Sequence, residues 1–178
     1  LQTLITYTHE ETWPDLVKAQ GTLPRSLKKL RSNEPFKMVA LGDSITEGYN
    51  ASGFSKTAAP RSQSAYSEQF AKSLNLHFPA SVTLKNFGVA GRTASWGLKQ
   101  LNRVIAEKPD LVILAFGMND PISSEQFKKT NLEILTHLQK GIPLADLIFV
   151  SSMNNNPDWR DPSKIPGFRE ALKSMIRS

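Results

Sequence analysis

Four short strand candidates, separated by stretches of helical periodicity, constrain this chain more than any other feature. Phe36–Leu41 ends at Gly42, Val82–Phe87 leads into Gly88 and Gly91, Leu111–Phe116 is apolar throughout, and Ala145–Val150 runs into Ser151 and Ser152. Between them, Ser62–Leu76 sets Ala65, Tyr66, Phe70 and Leu74 at helical spacing. Ser95–Ile105 repeats Leu98, Leu101 and Ile105 on one face, and Ser123–Lys140 carries a core stripe of Phe127, Ile134, Leu135 and Leu138. Phe168–Ile176 opens a further helix. A continuous apolar run such as Leu111–Phe116 suits a strand covered on both faces. Strands alternating with helices predict an α/β chain with a parallel sheet between two helical layers. The right-handed crossover rule narrows this to a doubly wound topology.

Composition supports a single folded unit. A chain of 178 residues with 39 % apolar content can bury roughly 70 % of its unfolded surface. The absence of cysteine removes a disulfide scaffold, a thiolate metal site and a Cys nucleophile. The net charge of +6 allows acidic partners but does not demand them, and no nucleic-acid role is expected. The longest apolar stretches fall well short of the roughly 18 residues needed to span a bilayer. Residues 1–34 lack this rhythm and read as an N-terminal extension, with 35–178 as the folded domain. The basic residues Arg25, Lys28, Lys29, Arg31 and Lys37 read as a solvated segment, with a phosphate-binding patch as the alternative.

In open parallel sheets, ligands bind beyond the carboxyl ends of the strands. Four small, polar segments occupy that position here: Gly42-Asp43-Ser44, Gly88-Val89-Ala90-Gly91, Gly117-Met118-Asn119-Asp120 and Ser151-Ser152-Met153-Asn154. Ser44 and Glu47 have the spacing of a capping box. Equally, Ser44 on a tight turn can be a nucleophile whose own N–H faces a developing oxyanion. Gly91 is either a left-handed turn residue or a backbone donor with no side chain in front of it. Asn119, followed by Asp120 and Pro121, is either a turn residue or an amide donor. One Ser, one Gly and one Asn on three different loops are the parts an oxyanion hole for acyl transfer uses. The G-x-x-G spacing of Gly88 and Gly91 is a poor match to dinucleotide binding, since no acidic ribose ligand stands where one is needed.

Taken together, Gly42-Asp43-Ser44-Ile45, Asn86 to Thr93 and Gly117-x-Asn119-Asp120 resemble the first three sequence blocks of the SGNH, or GDSL, hydrolases. The resemblance covers about Phe36 to Ser152. It implies a flavodoxin-like three-layer α/β/α sandwich with parallel strands in the order 2-1-3-4-5. It makes Ser44 the nucleophile, and the Ser44 N–H, the Gly91 N–H and the Asn119 side chain the oxyanion hole. Asp43, Arg92, Met118, Asp120, Met153 and Asn154 are then candidate substrate contacts. The family cleaves acyl esters, including acetyl groups on sugars and lipid esters, without metal or cofactor. By analogy the setting is secreted or periplasmic.

One block of the family pattern, Asp-x-x-His, has no counterpart in these residues. His9 lies in the extension, while His77 and His137 follow helical stretches remote from the strand ends. Asp158 and Asp161 have no His after them. A fifth strand and the Asp-x-x-His loop would come next, about 40 further residues for one βα unit and a helix. The chain alone is therefore expected to turn over poorly. The leading expectation is a serine ester hydrolase acting on short acyl esters, acetylated carbohydrate among them. The alternatives are a non-catalytic carbohydrate-binding module using Asn154, Asn155, Asn156 and Trp159, and a lipid ester hydrolase. A nucleotide-binding protein is disfavoured, because no phosphate loop follows the first strand.

Overall fold

The computed structural model describes residues 23–49, 51–53, 63–153 and 163–176. Its strands are β1 (Phe36–Gly42), β2 (Val82–Asn86), β3 (Leu111–Ala115) and β4 (Asp146–Val150). The helices are α1 (Pro24–Arg31), α2 (Ser44–Glu47), α3 (Tyr66–His77), α4 (Ala94–Leu98), α5 (Leu101–Ala106), α6 (Ser124–Gly141) and α7 (Lys164–Ile176). All strand pairs are parallel, and the described sheet runs in the order β2-β1-β3-β4.

The two-residue period of the strands sorts their side chains between two helical layers. Phe36, Met38 and Ala40 of β1 join Leu111 and Ile113 of β3 beneath α1 and α3. On the other face, Val39, Leu41, Val112 and Leu114 meet α4, α5, α6 and α7. There Phe127 and Phe168 stack at 4.3 Å and tie α6 to α7. The fold is thus a three-layer α/β/α sandwich. The apolar runs Met38–Leu41 of β1 and Leu111–Ala115 of β3 exist because both of their faces are covered.

Three helical expectations need correction. Ser95–Ile105 is not one helix but two, because Lys99 N–H and Gln100 N–H bond three residues back, to Trp96 and Gly97. That tightening turns the chain. On α6 the buried stripe is Phe127, Asn131, Ile134 and Leu138, with Leu135 half-buried. Asn131 is tolerated there because its amide donates to the Phe127 carbonyl at 2.8 Å. On α3, Phe70 is exposed and Ala71 takes the inward position.

Part of the N-terminal extension is structured. Proline at the first turn suits α1, whose Leu30 is buried in the core. Its Ser26 N–H donates to Asp146 at 2.8 Å, Arg25 to the Pro143 carbonyl at 2.9 Å, and Lys29 pairs with Asp110 at 2.6 Å. Three of the basic residues, Arg25, Lys29 and Lys37, therefore fasten the amino ends of β1, β3 and β4, opposite the strand ends that could hold a ligand.

Candidate active site

The first loop is set by Asp43. Its side chain accepts the Ile45 N–H at 3.0 Å and caps α2, while its own N–H donates to the Ala115 carbonyl at 3.3 Å. Ser44 is consequently the first helical residue, and no capping box forms with Glu47. The Glu47 carboxylate instead reaches across to accept the Ala90 N–H at 2.6 Å. Ser44 is half-buried at the carboxyl end of the central strand.

The second loop is strapped to α2. Asn86 donates its amide to the Thr46 carbonyl at 2.7 Å and accepts the Gly88 N–H at 2.9 Å, closing an Asx turn over the helix. Gly88 packs against the backbone of Thr46 and Glu47 so closely that a Cβ would sit on the Glu47 nitrogen. This glycine is required by space. Gly91 is required by conformation: its φ is +73°, and a Cβ there would meet nothing within 4 Å. Gly91 is exposed, and the open space where a Cβ would stand leaves room for a ligand atom.

The third loop is cross-linked to the second. The Asn119 amide donates to the Arg92 carbonyl at 3.3 Å, and Asp120, 5 % exposed, accepts the Ala94 N–H at 3.0 Å. The fourth loop closes the other flank. Ser152 donates through its hydroxyl to the Phe116 carbonyl at 3.0 Å, and Arg169 of α7 donates to the Ser152 carbonyl at 3.2 Å. The segments holding Ser44, Gly91 and Asn119 thus form one bonded assembly on one rim.

Two buried carboxylates lie beneath this rim. Burial pushes Asp43 above the ordinary carboxylate range, against the opposing pull of the Ile45 N–H. Burial also raises Asp120, the Ala94 and Gly117 N–H groups pull it back, and the charge of Asp43 raises it further. Tyr66, bonded to Thr46 at 3.1 Å, is raised by burial and by the same charge. Asp43 and Asp120 therefore face inward, where they hold backbone.

Met118 and Met153 help line a chamber of about 290 Å³ with Ile45, Tyr66, Phe116 and Val150. It shares Ile45, Tyr66 and Met153 with a more polar basin of about 460 Å³, lined also by Tyr49, Ser52 and Gln63. Arg92 is exposed, its guanidinium 5.5 Å from the centre of the Trp96 ring. Asn154, Asn155, Asn156, Asp158, Trp159, Asp161 and His9 lie outside the described residues. Of the described histidines, His77 ends α3 and bonds the Ser73 carbonyl at 2.7 Å. His137 lines a groove of about 970 Å³ between α6 and the α4–α5 pair. Neither stands at the rim. The straps made by Asn86, Glu47 and Tyr66 escaped sequence reasoning. The Asn86–Gly88 spacing was a usable signal for the first, and nothing local marked the other two.

The description GDSL-like lipase/acylhydrolase family fits residues 40–178. The chain belongs to this family. Among solved structures, a two-domain esterase active on acetylated mannans is similar, with 23 % identity and a TM-score of 0.62 over 72 % of this chain. The GDSL-like chain spans only 33 % of that protein's length. The lipase/acylhydrolase from Enterococcus faecalis has 22 % identity and a TM-score of 0.58, with 79 % of this chain and 70 % of that one covered. A mutant of an acetyl-xylooligosaccharide esterase from Geobacillus stearmophilus has 16 % identity and a TM-score of 0.61, covering 83 % and 74 %. No curated protein matches the chain. Among the described residues, no helix of this GDSL-like chain is long and apolar enough to cross a membrane.

Proposed function

We propose that the chain is the nucleophile-bearing domain, residues 35–178 together with α1 from the extension over 1–34, of a carboxylic ester hydrolase. Ser44 attacks the ester carbonyl. The charge that builds on the carbonyl oxygen is held by the N–H groups of Ser44 and Gly91 and by the Asn119 amide. One observation carries this reading: bonds from Glu47 to Ala90 and from Asn119 to Arg92 hold the three segments in fixed relation. Donors fixed before the reaction avoid reorganisation in the transition state, which is where such groups gain their effect. The partial positive charge at the start of α2 acts in the same direction.

The hydroxyl proton needs an acceptor within hydrogen-bond reach. We assign that role to a histidine beyond the described residues. Collapse of the tetrahedral intermediate expels the alcohol and leaves an acyl-Ser44, which water then hydrolyses to the acid. Met118 and Met153 receive the acyl group in the chamber, Asp43 and Asp120 hold the loops around it, and Arg92 and Asn154 are further substrate contacts. The chamber is small and largely apolar, which favours a short acyl group. Acetylated carbohydrate is the preferred substrate class, supported by similarity to an esterase active on acetylated mannans and to an acetyl-xylooligosaccharide esterase.

The test is hydrolysis of p-nitrophenyl acetate by this chain, with and without imidazole as an external base. After subtraction of the protein-free reaction of imidazole with the ester, imidazole should still accelerate hydrolysis by the chain, and Ser44→Ala should abolish that protein-dependent part. Equal rates in the variant and the parent would reject the serine mechanism.

A further inference from the structure

We infer that Tyr66 limits the length of the acyl group this site accepts. That limit deepens the esterase reading and rests on it. The chamber begins beside the nucleophile, since Asp43 and Ile45, the chain neighbours of Ser44, both line it. It ends at Ile45, Tyr66 and Met153, which also line the basin of about 460 Å³. These three side chains are therefore the wall between the two spaces.

Only Tyr66 among them is both large and fixed. Met153 is 55 % exposed and unbranched, so it can turn aside at little cost. Ile45 is held on α2 but is smaller. Tyr66 is tied at both ends: its backbone opens α3, its ring packs against the core beneath α1 and α3, and its hydroxyl bonds the Thr46 hydroxyl at 3.1 Å. Thr46 cannot follow a moving ring. It is fully buried, its carbonyl accepts the Asn86 amide at 2.7 Å, and its Oγ1 sits so near Gly42 that a Cβ there would collide with it. An acyl chain that outgrows the chamber has to displace the ring, which costs the bond to Thr46 and the packing beneath it. Space for more carbons stands just behind. The basin is braced by its own bonds, with Ser52 accepting the Gln63 N–H at 2.7 Å and the Gln69 amide donating to the Ser64 carbonyl at 2.7 Å. Removing the ring thus joins chamber and basin, and a longer acyl group gains contacts that an acetyl group never reaches.

The experiment measures kcat/KM for p-nitrophenyl hexanoate over p-nitrophenyl acetate, with imidazole present and its protein-free reaction subtracted. Comparing this ratio between the parent chain, Tyr66→Ala, Tyr66→Leu and Tyr66→Phe cancels intrinsic ester reactivity. One methylene in an apolar pocket is worth about tenfold or more. Because the basin is partly polar, Tyr66→Ala should raise the ratio by about tenfold over the four added methylenes. Tyr66→Leu, which keeps part of the bulk, should raise it less. Tyr66→Phe keeps the ring and loses only the bond to Thr46, so its ratio should stay within about twofold of the parent's. An unchanged ratio in Tyr66→Ala overturns the limit. So does an equal rise in Tyr66→Phe, which would trace the effect to a loosened α2. Where Tyr66→Ala fails to melt cooperatively, Tyr66→Leu against Tyr66→Phe decides by the same rule. Ser44→Ala run beside them reports on the esterase reading alone. It also supplies a test without turnover: in that background the carbon-13 methyl resonance of Met118, which lines the chamber but not the basin, is titrated with methyl hexanoate and methyl acetate. Adding Tyr66→Ala or Tyr66→Leu must tighten the hexanoate and leave the acetate unchanged, and adding Tyr66→Phe must alter neither. Any other pattern overturns the inference.

Discussion

The two ends of the sheet are built on opposite electrostatic terms. At the amino end, Asp110 is clasped by Lys29 at 2.6 Å and by the Lys37 N–H at 2.8 Å, and Asp146 by the Ser26 N–H at 2.8 Å. At the carboxyl end, Asp43 and Asp120 are almost fully buried and hold only backbone N–H groups. Both are raised above the ordinary carboxylate range, chiefly by burial. An acid satisfied by a cation on a partly wet surface adds modestly to stability. An acid buried without one is held at a cost, and the gain is geometric: it fixes the loops that present Ser44, Gly91 and Asn119. Such costs collect where position matters more than stability.

The largest break in this contrast should come from Gly88→Ala. The added methyl group meets the backbone of Thr46 and Glu47, which cannot yield without moving α2. A loss of about 3 kcal/mol in urea unfolding is expected, at the top of the range for overpacking, together with loss of Ser44-dependent hydrolysis. A variant as stable as the parent would refute the strap. Next in size is Asn119→Ala. Removing one oxyanion donor costs about 10² in kcat in other acyl-transfer enzymes, so a loss of that order is expected with KM changed little. An equal loss spread into KM would assign Asn119 to ground-state binding instead.

These two positions also show how much could be read from residues alone. The strand rhythm was legible because burial on both faces demands unbroken apolar runs, and β1 and β3 sit at the centre of the sheet. The four rim segments followed from topology. What stayed hidden were the long-range bonds. Nothing near Glu47 in sequence reveals that its partner is Ala90, 43 residues on, and the capping-box spacing suggested a local partner. Asp43 takes the cap because it precedes Ser44 in extended backbone with its carboxylate over the Ile45 N–H. The division of Ser95–Ile105 was equally opaque. Its apolar residues keep helical spacing, and the break comes from three-residue hydrogen bonds at Lys99 and Gln100.

A smaller effect, opposite in sign, is expected from Asp43→Asn. Asparagine caps a helix about as well as aspartate, so the bond to Ile45 survives while the buried charge goes. The folded-state pKa of Asp43 lies above its ordinary 3.8. Between 3.8 and that raised value the folded chain therefore binds more protons than the unfolded one, and stability falls as pH rises through the window. Above the window the full cost of the charge is present. Asp43→Asn should accordingly melt higher than the parent at neutral pH, and the advantage should vanish below about pH 4. It should also relieve the upward push that Asp43 exerts on Asp120 and Tyr66. A variant less stable than the parent at neutral pH would mean that the charge itself holds the turn.

The smallest change belongs to the amino end. Lys29 and Asp110 have side chains 33 % and 24 % exposed, so water screens their attraction and the ordering of a long side chain offsets part of it. Lys29→Ala is expected to cost less than about 1 kcal/mol, and the loss should shrink further in high salt. Asp110 also accepts the Lys37 N–H, so Asp110→Ala should cost more than the lysine variant, since it leaves a backbone donor without its partner. Ser44-dependent hydrolysis should be the same in Lys29→Ala as in the parent, because α1 fastens the end of the sheet remote from the rim. If removing this pair slowed hydrolysis without lowering the melting temperature, the two ends would be coupled through β1 and β3, and the separation between stabilising and positioning acids would fail.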